Sequence, residues 1–306
     1  NIKSSTTNTD ISHGIIVKQG DLNVTGTSDN PTKFYVRGKQ STGIMNIGGY
    51  ASVSGVSFDV YNLSSGTGHN SAVATHSSRN TDITNSTMSI YGDNNGILNT
   101  GAGNLTFGGD NGSITVYGKH SNGILNTSTN TGNVTVTRDI TLSKDSEESN
   151  GILNEGTGKN TVSGITVTVK GKKNHGIQNK GILTSSNVTF EIGNNDTTDD
   201  GNNNGIYNNS ISNDPTSIIN NTFNITANKN NGISVAGSQN IEISGGTHFN
   251  TNNTTLSTGI FHAGTGKITI ENPTDSTDND ITGKQINGIY VSNGGDLVIG
   301  ARNKMA

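Results

Sequence analysis

Two acidic clusters are the first residues of which chemistry can be asked. Asp196, Asp199 and Asp200 lie close together, as do Asp275, Asp278 and Asp280. Carboxylates spaced this way, among Asn and Ser, supply oxygen ligands of the kind Ca²⁺ takes. A twelve-residue calcium loop closes on a bidentate acid; counted from Asp196, that position is Tyr207, so the pattern is not completed. Solvated loop carboxylates are the simpler reading, and no metal or cofactor is expected. Glycoside cleavage would need two carboxyl groups facing each other at roughly 5–10 Å. Asn80-Thr81-Asp82, Asp199-Asp200 and His175-Gly176 contain the residue types, but nothing in their order places them on one face. The seven His are scattered without metal spacing, and no Gly-x-Ser-x-Gly elbow occurs. With no Cys, thiol nucleophiles, thiolate sites and disulfides are excluded.

What must position any of these residues is a repeat. Asn122-Gly123-Ile124-Leu125-Asn126 recurs as Asn95-Gly96-Ile97-Leu98-Asn99, Asn150-Gly151-Ile152-Leu153-Asn154, His175-Gly176-Ile177-Gln178-Asn179 and Asn204-Gly205-Ile206-Tyr207-Asn208. Weaker copies run from His13-Gly14-Ile15 to Asn287-Gly288-Ile289, with Ser71-Ala72-Val73 the degenerate one. The steps between copies are 24 to 29 residues. Each unit adds two short segments in which apolar residues alternate with Thr or Ser, such as Asn104-Leu105-Thr106-Phe107 and Ser113-Ile114-Thr115-Val116. Alternation bounded by Gly and Asn is a strand signal, and no helical period is present. Three short strands in roughly 27 residues predict an all-β chain: a parallel, right-handed β-helix solenoid of about eleven coils. One such unit is expected over 1–306, as a segment of a longer protein.

Composition agrees with a thin shared core. Only 28% of residues are hydrophobic and 14% charged, with a net charge of −4. Such a chain lacks the apolar content of an ordinary globular domain, but stacked repeats share one narrow column. Scattered Lys and Arg give no basic stripe, so nucleic acid is not an expected partner. No apolar run reaches membrane-span length, so this segment is not expected to insert into a bilayer.

Strand parity assigns faces. Ile97, Ile124, Ile152, Ile177 and Ile206 are expected to point inward. Two residues on, Asn99, Asn126, Asn154, Asn179 and Asn208 share that parity at a corner, where stacked amides can bond along the rod. Thr75 and His262 take the same register and should break this ladder. The residue between faces out: Ile16, Met45, Ala74, Leu98, Leu125, Leu153, Gln178, Tyr207, Ser234, Phe261 and Tyr290. A row of bare glycines is expected beside it. An exposed apolar stripe marks a docking face or a surface that loops cover. Its aromatic members Tyr207, Phe261 and Tyr290 are rigid anchors of the kind recognition sites favour. Any binding site is therefore expected between Asn204 and Val291; the alternative is that loops 208–217 and 273–280 cover these rings.

Taken together, the Asn-Gly-Ile-x-Asn repeats, the richness in Asn, Thr, Ser and Gly, the lack of Cys and the few charges resemble the passenger of a bacterial autotransporter (type V secretion). The adhesin and vacuolating-cytotoxin-like class is the nearest likeness, over the full length. The resemblance implies display at a bacterial surface, anchored in the outer membrane by a region outside this segment. It also implies binding to host cells, other bacteria or matrix, with a surface protein or glycan as partner; separately from the resemblance, a monomeric rod is expected. That class shares no binding motif, so no residue is carried over from it. The alternatives are a structural stalk and a polysaccharide-acting enzyme, since pectin-type lyases and hydrolases also use parallel β-helices. The hydrolase pattern ends in Arg-x-Lys after its His-Gly; here the order is broken, because His175-Gly176 precedes Asp199-Asp200 and the Arg-x-Lys that follows, Arg302-Asn303-Lys304, comes far downstream of both. The chain is read as a binder, not an enzyme.

Overall fold

β-Branched and aromatic residues alternating with Thr and Ser favour a pleated, half-buried surface. The computed structural model describes residues 2–3, 12–27, 29–38, 40–62, 69–193, 201–251, 257–271, 279–283, 287–293, 295–300 and 303–305. Among them are strands and no helix, hence none long and apolar enough to cross a membrane. The chain visits three parallel sheets in turn. Sheet 1 holds the Gly-Ile segments, 11 strands from His13–Val17 to Asn287–Val291. Sheet 2 has 11, from Asp21–Thr25 to Leu297–Ile299, and sheet 3 has 12, from Ile2–Lys3 to Asn303–Met305. Every strand pairs with its counterpart one turn away, as Asn122 does with Asn95 and Asn150. The fold is a parallel β-solenoid with roughly 27 residues per turn.

The inward faces meet in one column. Ile97, Ile124, Ile152, Ile177 and Ile206 are fully buried, and each contributes roughly 1.5–3 kcal/mol. Sheet 3 adds stacked rings: Phe34 on Phe58 at 5.0 Å, and Phe190, Phe223 and Phe249 at 4.7 Å steps. Leu98, Leu125 and Leu153 face outward and are half-buried, while Ala74 and Ser234 on the same row are buried by larger neighbours.

The glycines are not where alternation predicts. A Cβ on Gly123 would lie 2.5 Å from the Gly151 carbonyl oxygen and 3.1 Å from Ile114 Cγ2 of sheet 3. They therefore turn inward rather than lying bare beside the Leu row. The register shows why: Asn95 pairs with Asn122 and Ile97 with Ile124, but the intervening glycines skip the ladder. A glycine inside a strand commonly marks such a close approach. Two successive residues then point inward, and Asn122 with its counterparts joins the outer face.

Two amide ladders brace the corners. Along the expected one, Asn99, Asn126, Asn154 and Asn179 each donate from Nδ2 to Oδ1 of the next, at 3.0, 2.9, 2.9 and 2.7 Å, ending on Asn208. A directed chain of this kind has an open acceptor at one end and an open donor at the other. Asn99 Oδ1 and Asn208 Nδ2 are the buried atoms left without partners. Thr75 flanks one end as expected, but Val235 closes the other, one turn before His262. His262 instead bonds the Gly266 carbonyl at 2.8 Å.

The second ladder was not expected. It uses the residue just before each repeat: Asn70, Asn94, Ser121, Ser149, Asn174, Asn203, Asn230 and Ser257. Each side-chain oxygen accepts from the backbone N–H of its counterpart one turn earlier, at 2.6–3.2 Å, starting from Ser41. The signal in the chain was an Asn or Ser preceding every repeat but the last, where Ile286 stands before Asn287.

Replacing Asn126 by Ala is expected to cost about 1–3 kcal/mol, because Asn99 and Asn154 both lose a buried partner. Asn111→Ala, in an exposed turn, is expected to cost less. Thermal melts that rank the two in the opposite order would remove the ladder from the account of stability.

Candidate functional site

The outer face of sheet 1 carries two columns, built from the first and fourth residue of each five-residue strand. In the fourth-residue column, Phe261 and Tyr290 occupy successive turns and their rings stack at 5.4 Å, 8° from parallel. Tyr290 is 44% exposed, and residues 273–278 of the loop that was the alternative cover for these rings lie outside the described residues. Tyr207 lies two turns from Phe261, with Ser234 between them. Its ring leans onto His175 at 4.8 Å. A depression of about 480 Å³ opens over Ser234, lined by Asn204, Asn231, Thr258, Phe261 and Tyr290 as well. The structure thus brings Phe261 and Tyr290 into one site and sets Tyr207 outside it.

The first-residue column is a third amide ladder, running the other way. Asn122 donates to Asn95, Asn150 to Asn122 and Asn231 to Asn204, each at 3.0 Å. His175 interrupts it. Its Nδ1 accepts from Asn204 Nδ2 at 3.0 Å, but the ring has no NH₂ to offer Asn150, whose Oδ1 is buried without a partner. Burial lowers the His175 pKa to about 4, from an ordinary 6.5.

That shift has a direction for stability. As pH falls below 6.5, the unfolded chain binds the proton first, so the folded state loses ground until pH passes about 4. The loss is on the order of 3 kcal/mol. His175→Asn gives Asn150 Oδ1 a donor and removes this contribution. Urea melts at pH 7 and pH 4.5 are expected to show a markedly smaller acid loss in the variant; equal losses would mean another group is responsible.

The acidic candidates fall almost entirely outside the part of the chain the structure describes. Asp196, Asp199, Asp200, Asp275 and Asp278 lie outside the described residues, and Asp280 is placed only by its strand, Asn279–Gly283, beside His248. No group of three His, Asp or Glu that could hold a metal gathers among the described residues. Asp82 is on sheet 2, where it accepts from the Tyr50 hydroxyl at 2.8 Å, whereas His175 is on sheet 1. That hydrogen bond, followed by desolvation, raises the Tyr50 pKa.

A second aromatic row went unread. Tyr61, Tyr91 and Tyr117 stack on the outer side of sheet 3 at 4.5 and 4.8 Å, with the Arg37 guanidinium 5.0 Å from the Tyr61 ring centre. Each follows an inward residue, Val60, Ile90 or Val116, so the signal was a tyrosine just beyond three successive third segments. Both faces of Tyr91 are occupied, while Tyr117 at the end of the row is 37% exposed. Burial, then Asp59, raises the Tyr61 pKa.

Comparison with protein-family models, with curated proteins and with solved structures returned no match.

Proposed function

We propose that this solenoid acts by binding: an adhesin-like passenger segment shown at a bacterial cell surface by an autotransporter, with a surface protein or glycan as partner. The observation that carries the reading is the Phe261–Tyr290 stack, two rings held at fixed spacing on the outer face of a rigid framework. Rigid aromatics lose little entropy on binding and dominate many recognition sites. The repeat texture supports the passenger assignment, and with it surface display and a monomeric rod. The winding is right-handed in this reading, as parallel crossover connections overwhelmingly are. A polysaccharide-acting enzyme is the weaker reading, because Asp82 and His175 stand on different sheets.

The test is a variant with Tyr207, Phe261 and Tyr290 all replaced by Ala, checked for folding by circular dichroism and then for attachment to host cells and to other bacteria. Attachment is expected to fall at least tenfold. A folded variant that attaches as the parent does would remove the site, and a parent that attaches to nothing would favour a stalk.

A further inference from the structure

We propose that the depression at Ser234 is a carbohydrate subsite that takes one pyranose ring flat against Phe261; this deepens the binding reading above and rests on it. Strands one turn apart are about 4.8 Å apart, which is also a comfortable stacking distance for flat rings. Where successive turns carry rings, they stack, as at Tyr61, Tyr91 and Tyr117 and at Phe261 and Tyr290. The Tyr207, Ser234, Phe261, Tyr290 column lacks one rung. Tyr207 and Phe261 start two spacings apart, roughly 9.6 Å. Tyr207 has settled onto His175 and does not close the gap. One face of Phe261 is taken by Tyr290, and the other looks over Ser234, which is 7% exposed at the bottom of the depression.

The groups around this gap select its occupant. Asn231 donates its Nδ2 to Asn204, which leaves Asn231 Oδ1 as an acceptor. Among the described residues, neither that oxygen nor Ser234 Oγ nor Thr258 Oγ1 has a hydrogen-bond partner, and none is among the buried atoms left unsatisfied. All three border the same depression. A pyranose presents an apolar C–H face and hydroxyls around its rim. The face covers the ring of Phe261, while a rim hydroxyl donates to Asn231 Oδ1 and others exchange hydrogen bonds with Ser234 Oγ and Thr258 Oγ1. An aromatic side chain of a protein partner would fill the gap but leave those three oxygens unpaired on losing water, which is unfavourable. Among the described residues no carboxylate lines the depression.

The experiment uses the chain on an array of neutral and acidic pyranoside glycans, with titration calorimetry on the glycans that bind. The parent is expected to bind at least one. Ser234→Phe supplies the missing ring, so it is expected to fold, to melt no lower than the parent and to lose binding at least tenfold. If Ser234→Phe does not fold, Phe261→Leu takes its place: it keeps apolar bulk, removes the flat face, and carries the same expected loss. A blank array for the parent, or a folded variant that binds as the parent does, overturns the proposal. If the array is blank while the triple alanine variant loses attachment and glycosidase-treated cells are bound as well as untreated ones, the site stands with a protein partner and the carbohydrate assignment alone fails. If the triple variant attaches undiminished, the site itself fails.

Discussion

Ile124→Ala is expected to lower the unfolding free energy by about 2–5 kcal/mol, whereas Leu125→Ala, one residue further, should cost less than about 1.5 kcal/mol. Ile124 is fully buried, paired in register with Ile97 on one side and Ile152 on the other. Truncation leaves a cavity that cannot collapse easily, because each coil is held by β-ladders in all three sheets. Ile152→Ala should behave the same way, since its surroundings repeat those of Ile124. Leu125 lies on the outer side, half-buried between Leu98 and Leu153, and its removal exposes a shallow dent to water rather than a void. Urea melts of the three variants decide the matter. Equal losses at positions 124 and 125 would contradict the facing of the whole row.

The features legible in the chain were those that repeat with the same residue. Ile124 and its counterparts recur at fixed offsets, and a stack of identical side chains one strand spacing apart follows from that alone. The Asn99 to Asn208 ladder was legible for the same reason. Features that repeat with different residues were not. The corner ladder through Asn94, Ser121 and Asn174 needs only a short oxygen-bearing side chain, so Asn and Ser alternate and the row looks like composition. Val235 stops the inner ladder one turn before His262, because an apolar residue breaks an amide chain as surely as a bulky one. The aromatic site was half legible. Phe261 and Tyr290 share a register that counting reveals, but the lean of Tyr207 onto His175 is a packing choice between columns, which register does not specify. The glycines were misplaced because strict alternation was carried through a position where the backbone leaves the ladder.

That misplacement leads to the sharpest expected result. Gly151→Val should destabilise by more than about 3 kcal/mol, or prevent folding, although overpacking in most cores costs about 1–3 kcal/mol. An added Cβ at Gly151 would stand 2.5 Å from the Gly176 carbonyl oxygen and 3.1 Å from Ile140 Cγ2. The first is backbone of the next turn and the second a β-branched side chain across the core, so neither gives way easily, and Val adds two methyl groups beyond the Cβ. Gly151→Ala is expected to fall between Val and the parent. Ala72 occupies the equivalent position in its own turn and is fully buried there, so a single methyl can be accommodated with adjustment. The control is Gly164→Asn. Gly164 has a φ of +65° with nothing within 4 Å of its added Cβ, and Asn85, Asn187 and Asn220 hold φ of 51–54° at the same corner in other turns. Asn tolerates that left-handed conformation, so the change should cost about 1 kcal/mol or less. Thermal melts are expected to order the variants as Gly164→Asn, Gly151→Ala, Gly151→Val, from least to most destabilised. If Gly151→Val melts as the parent does, these glycines face outward after all, and the apolar row of sheet 1 has the bare glycine strip beside it that alternation alone predicts.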